Sequence, residues 1–108
     1  MNTTDIRELL EMNRHTRTSF RGVFASDELP RHAPTSSLFI CNTDPSSQPG
    51  EHWVAIYIDQ QRHGEYFDSF GMHPSVRNFD TFMNHNCISW TCNTMPIQNI
   101  FSHACGFH

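Results

Sequence analysis

Three polar side chains stand where apolar runs meet turns, and together they could activate a thiol: His52, Asp68 and Cys105. A cysteine attacks as the thiolate, so it needs a base beside it and a third group to orient that base. His52 precedes the run Trp53 to Ile58 (WVAIYI), and Asp68 closes the run Glu65 to Asp68 (EYFD). If the two runs are neighbouring strands of a hairpin, the imidazole and the carboxylate meet at one end of the sheet. The imidazole then reaches Cys105 while the carboxylate fixes its tautomer. Gln98 offers an amide N–H to an oxyanion, and Gly106 lets the backbone approach a substrate closely. Eight His and four Cys guarantee that some His, Asp, Cys order occurs. On spacing alone, a surface histidine, a turn-capping aspartate and an exposed strand glutamine stay open as readings of His52, Asp68 and Gln98.

The elements that must position these groups are legible as patterns. Residues 4 to 13 read as a short amphipathic helix, with Thr4 or Asp5 as cap and Ile6, Leu9 and Leu10 on one face. Gly22, Pro30 and Pro34 make residues 18 to 35 read as irregular. Ser37 to Cys41 suits a buried strand, and Asn42 to Gly50 (NTDPSSQPG) a loop. The runs 53–58 and 65–68, around a turn at Gln60 to Gly64, predict an antiparallel hairpin. Pro74 reads as a first-turn residue of a helix carrying Val76, Phe79, Phe82 and Met83, ended by Asn84 to Asn86. Cys87 to Cys92 and Ile97 to Phe101 read as short strands around a Met95-Pro96 break. That order predicts an α+β fold in a single domain, residues 1–108.

With the elements in place, the motifs resemble those of the adenovirus-protease (adenain) family of cysteine proteases. The features are His52-Trp53 opening one strand, Tyr66-Phe67-Asp68-Ser69-Phe70-Gly71 closing the next, then Gln98 and Cys105-Gly106. The segment Phe20 to Pro30 (FRGVFASDELP) also resembles the family's N-terminal stretch, so the likeness covers roughly residues 18–108. Related enzymes occur in large virus-like transposons, and the SUMO- and ubiquitin-like-specific proteases share the fold. The resemblance implies a papain-like core of small mixed or antiparallel sheet with flanking helices. It makes His52 the general base, Asp68 its orienting carboxylate, Cys105 the nucleophile and Gln98 the oxyanion donor, with Trp53 and Gly106 shaping the substrate groove. The implied reaction is peptide hydrolysis through an acyl-enzyme thioester, with small residues, often Gly, before the scissile bond. No cofactor is implied; an activating peptide enters only by analogy with adenoviral members.

The sequence departs from that family in one respect. There the cysteine opens a long buried helix, whereas here only Gly106, Phe107 and His108 follow it. Three residues do not nucleate a helix, so the positive helix end that would lower the thiol pKa is missing. The expectation is a chain truncated after its nucleophile, lacking the C-terminal catalytic helix and weak or inactive as a protease.

Composition bounds the alternatives. A 108-residue chain with 37% hydrophobic residues supports one modest core. The net charge of −4 argues against nucleic acid as a dominant partner, although five of seven Arg fall at positions 7, 14, 17, 21 and 31. No apolar run reaches the roughly 18–20 residues that span a bilayer, and the N-terminus lacks a signal-peptide centre. Free thiols in an intracellular, reducing setting, and a peptide or protein substrate, are the expectations. Cys41 and Cys87 read as small buried hydrophobes. Two rivals remain. One is a non-catalytic relative that binds Gly-Gly-type tails. The other is a zinc module built from Cys87, Cys92, His103, Cys105 and His108, whose C, C, H, C, H order fits no standard knuckle.

Overall fold

Runs of β-branched and aromatic residues at alternating spacing need a partner strand on each side and an apolar layer on each buried face. The computed structural model describes residues 12, 18–42, 53–68, 74 and 79–94, and among them five strands and one helix meet those needs. The strands are β1 (Phe20–Phe24), β2 (Ser37–Asn42), β3 (Trp53–Ile58), β4 (His63–Asp68) and β5 (Ser89–Thr94). The helix is α1 (Phe79–Asn86). They form one mixed sheet in the order β1-β2-β3-β4-β5. The central pairs β2–β3 and β3–β4 are antiparallel, and the outer pairs β1–β2 and β4–β5 are parallel. The domain is thus α+β, as the alternation of patterns predicts.

Both faces of the central strands are buried. Phe39, Cys41, Val54, Ile56, Ile58 and Tyr66 face the helix and pack with Phe79, Phe82 and Met83. Leu38, Ile40, Ala55 and Phe67 form a second cluster with Phe20, Val23, Trp53 and Tyr57 packed against it. In α1 the buried residues are Phe79, Phe82, Met83 and Asn86, the i, i+3, i+4, i+7 stripe of a helix lying on a sheet.

Two strand boundaries differ from the sequence expectation. The segment read as irregular contains β1, because Phe20, Val23 and Phe24 supply strand contacts on both sides of Gly22. The register shifts between Phe20 and Gly22, and Gly22 has φ of 137°, so the glycine marks a bulge within a strand. The last described strand begins two residues later than Cys87. The Cys87 amide still bonds the Met83 carbonyl at 2.9 Å, closing the helix, and the Ile88 amide bonds the Arg62 carbonyl at 2.8 Å. The helix is described from Phe79 onward; residues 75–78, with Val76, lie outside the described residues, as do the expected elements at 4–11 and 97–101.

The hairpin turn is tighter than Gln60 to Gly64. Asp59 and His63 pair across a three-residue loop in which the Arg62 amide bonds the Asp59 carbonyl at 3.1 Å. The Asp59 carboxylate accepts the amides of Gln61 at 2.9 Å and His63 at 2.8 Å. Arg62 occupies the left-handed position, φ 62°, where such loops usually place glycine.

Candidate active site

Asp68 ends β4 and is 1% exposed. The antiparallel register sets it directly opposite Val54 of β3, and the parallel register sets it opposite Thr94 of β5. Partners across the antiparallel pair share a face. Val54 belongs to the helix-side cluster, so Asp68 is directed to that side of the sheet. Its depth follows from its flanks: Tyr66 and Phe67 are buried on opposite faces and draw the end of the strand into the core. A carboxylate at such a depth is tolerated only with hydrogen-bonding groups around it.

Trp53 opens β3 opposite Asn42 and is half-buried. It shares the end of the sheet with Asp68 but packs on the other face, against the cluster of Leu38, Ile40, Ala55 and Phe67. The remaining members of the expected site, His52, Gln98, Cys105 and Gly106, lie outside the described residues.

The other three cysteines have defined surroundings and are free thiols. Cys41 is fully buried in the helix-side cluster, and burial pushes its thiol far above the ordinary range. Cys87 is half-buried against the same cluster, as the reading of it as a small hydrophobe expects. Desolvation raises its thiol, nearby Asp59 adds to the rise, and Arg62 opposes it. Cys92 is exposed on β5, and its partial desolvation also raises it. All three are therefore held toward the thiol, the unreactive form.

A second polar cluster lies where the segment before β2 meets the end of α1, and spacing in the sequence did not reveal it. The Asn86 amide oxygen accepts the Ala33 amide at 2.8 Å. Its nitrogen donates to the carbonyls of Arg31 at 3.1 Å and Phe82 at 3.0 Å. Arg62 donates to the carbonyls of Ala33 at 2.9 Å and Asn86 at 3.2 Å. Outside this clamp His85 Nε2 and His32 Nδ1 stand 3.1 Å apart. Apart from Phe82, the partners are more than twenty residues distant, so only the fold brings them together. Among the described residues no group of three or more His, Cys, Asp or Glu is placed to hold a metal.

No protein-family model matches this chain, and no curated protein matches it.

Proposed function

We propose that this chain carries the catalytic core of a cysteine peptidase of the adenovirus-protease type. In this reading His52 is the general base, Asp68 its orienting carboxylate, Cys105 the nucleophile and Gln98 the oxyanion donor. The observation that carries it is the β3–β4 register. Asp68 is buried opposite Val54, and His52 stands two positions before Val54 in the sequence. Position 52 has the parity of Val54, Ile56 and Ile58, whose side chains share the face to which Asp68 is directed. A β3 continued back to position 52 would therefore put the imidazole on the side of the sheet to which the carboxylate is directed, as a His–carboxylate pair needs.

A second support comes from the other thiols. Cys41, Cys87 and Cys92 are all shifted away from the thiolate, so none of them has the lowered pKa of an activated nucleophile. Cys105 is the remaining cysteine. Chemically, His52 would take the proton of the Cys105 thiol, the thiolate would attack a peptide carbonyl, and the imidazolium would protonate the departing amine as the C–N bond breaks to leave a thioester. Water would then release the acyl group, with the same imidazole moving the protons. The papain-like core, a Gly-containing peptide or protein substrate, and an intracellular setting belong to this proposal. No helix among the described residues is long and apolar enough to cross a membrane.

The test is the pH dependence of cysteine alkylation, mapped residue by residue, alongside turnover of a fluorogenic peptide with Gly before the scissile bond. Cys105 should alkylate below the ordinary thiol range through its pairing with His52 alone, less far than a helix N-terminus would take it, while Cys41 stays protected. His52→Ala should return Cys105 to the ordinary range. An ordinary titration of Cys105 in the wild-type chain, unmoved by His52→Ala, defeats the triad.

A further inference from the structure

The two histidines at the end of α1 hold ring nitrogens in a metal-chelating arrangement. His85 Nε2 and His32 Nδ1 are 3.1 Å apart, with ring centroids 4.8 Å apart and planes tilted by 47°. Two imidazoles on one metal at about 2.0–2.1 Å place their nitrogens about 2.9 Å apart in a square-planar cis geometry and about 3.3 Å apart in a tetrahedral one. The observed gap falls between the two. Both side chains are exposed, so a metal has an open approach and solvent can fill the remaining positions.

The backbone that carries the pair is fixed. Asn86, next to His85, bonds the Arg31 carbonyl and the Ala33 amide, the residues on either side of His32. Arg62 adds a bond to the Ala33 carbonyl and another to the Asn86 carbonyl. Folding therefore already joins two positions 53 residues apart, and a metal need not order a loop to be chelated.

We propose that His32 Nδ1 and His85 Nε2 form a two-histidine site for a divalent transition metal, of the zinc, nickel, cobalt or copper class. Imidazole nitrogen suits these ions and not calcium or magnesium, which take oxygen ligands. The hydrogen-bonded pair has one N–H between the rings. Metal binding replaces that hydrogen bond, and the donor ring moves its proton to its other nitrogen, so neither ring changes charge. Among the described residues no third His, Cys, Asp or Glu joins the pair, so two or more positions fall to water or an outside ligand. Arg31 lines the same cavity as His85, about 440 Å³ in volume, together with Leu29, Pro30, Phe79 and Phe82. Its positive charge opposes a cation and sets the site at moderate affinity, while favouring an anionic ligand on the metal's open positions.

Cobalt(II) and nickel(II) titrations of the full chain test this site, followed by cobalt absorption and by the ring resonances of the histidines. One equivalent should bind with selective shifts of His32 and His85, and without a sulfur-to-metal charge-transfer band. His32→Gln and His85→Gln should each weaken binding at least tenfold, and the double variant should lose little more than either alone. Nickel should raise the melting temperature of the wild-type chain and leave both variants, otherwise folded, where they were. Affinity that survives both single substitutions, thiolate bands in the cobalt spectrum, or wild-type binding no tighter than the double variant's would overturn the site.

Discussion

The Asn86 amide makes three hydrogen bonds at 4% exposure, two of them to a segment more than fifty residues earlier. Truncating it leaves the buried Ala33 amide without its acceptor, and an orphaned buried group costs about 1–3 kcal/mol beyond the bonds themselves. Asn86→Ala should therefore lower stability by about 2–4 kcal/mol, read as a fall in the urea midpoint at unchanged m-value. The sequence marks Asn84 to Asn86 as a helix end, and the helix does end there. The clamp was not legible, because asparagine near a helix C-terminus is ordinary and its partners are set by tertiary packing alone. Cys41 gives a pH signature at the same scale. Its folded thiol lies far above an unfolded value near 8.5. Above that value the unfolded chain gives up a proton that the folded chain keeps, so stability is full below about pH 8.5 and falls as pH rises. Cys41 should contribute up to about 1.4 kcal/mol per pH unit in alkali, so Cys41→Ala should show a slope shallower than wild type by about that amount, the rest coming from Cys87 and Cys92, measured by urea melts across that range.

Between strands β3 and β4 the element scale depends on two unusual residues. Arg62 sits at φ 62°, where a non-glycine residue costs roughly 1–2 kcal/mol, yet its guanidinium and carbonyl together reach Ala33, Asn86 and Ile88. Arg62→Gly relaxes the backbone and loses the side-chain bonds, whereas Arg62→Ala loses the bonds and keeps the strain. The alanine variant should be the less stable of the two by about 1 kcal/mol, in paired thermal or urea melts. Gly64, in β4, has no room for a side chain. A β-carbon there would run into Cys87 Sγ and come within 2.9 Å of Met83 Cε. Met83 is flexible, but the Cys87 sulfur hangs from the end of α1, so Gly64→Ala should push the helix off the sheet. A loss of about 1–3 kcal/mol is expected, with exchange broadening of Met83 and Trp90 resonances as the specific sign. The hairpin was readable because both runs carry strand formers around a polar turn. The exact loop was not, since Arg62 occupies a place where the pattern calls for glycine, and Gly22 read as a break when it is a bulge inside β1.

At the scale of the whole molecule, the order of strands decides where chemistry can be held. β3 has antiparallel partners on both sides and buries residues on both faces, so it is the most enclosed element of the sheet. Among the described residues β5 lies at an edge, and Ser89, Thr91, Cys92 and Asn93 are exposed. Local opening follows burial and pairing, so amide hydrogen exchange should be slowest through Val54 to Ile58 and fastest along β5. That ranking bears on the proposed triad, because Asp68 ends β4, between the most and least protected strands. If Asp68 orients His52, Asp68→Ala should abolish the peptide turnover of this chain, because the imidazole loses its orienting partner. The same substitution should leave the exchange of Val54 to Ile58 slow, because the strand pairing stays intact. A merely structural carboxylate would give the opposite pattern: faster exchange across β3 and β4, with turnover falling only in proportion to the unfolded fraction. The register that sets Asp68 opposite Val54 thus makes a catalytic and a structural aspartate separable in one variant.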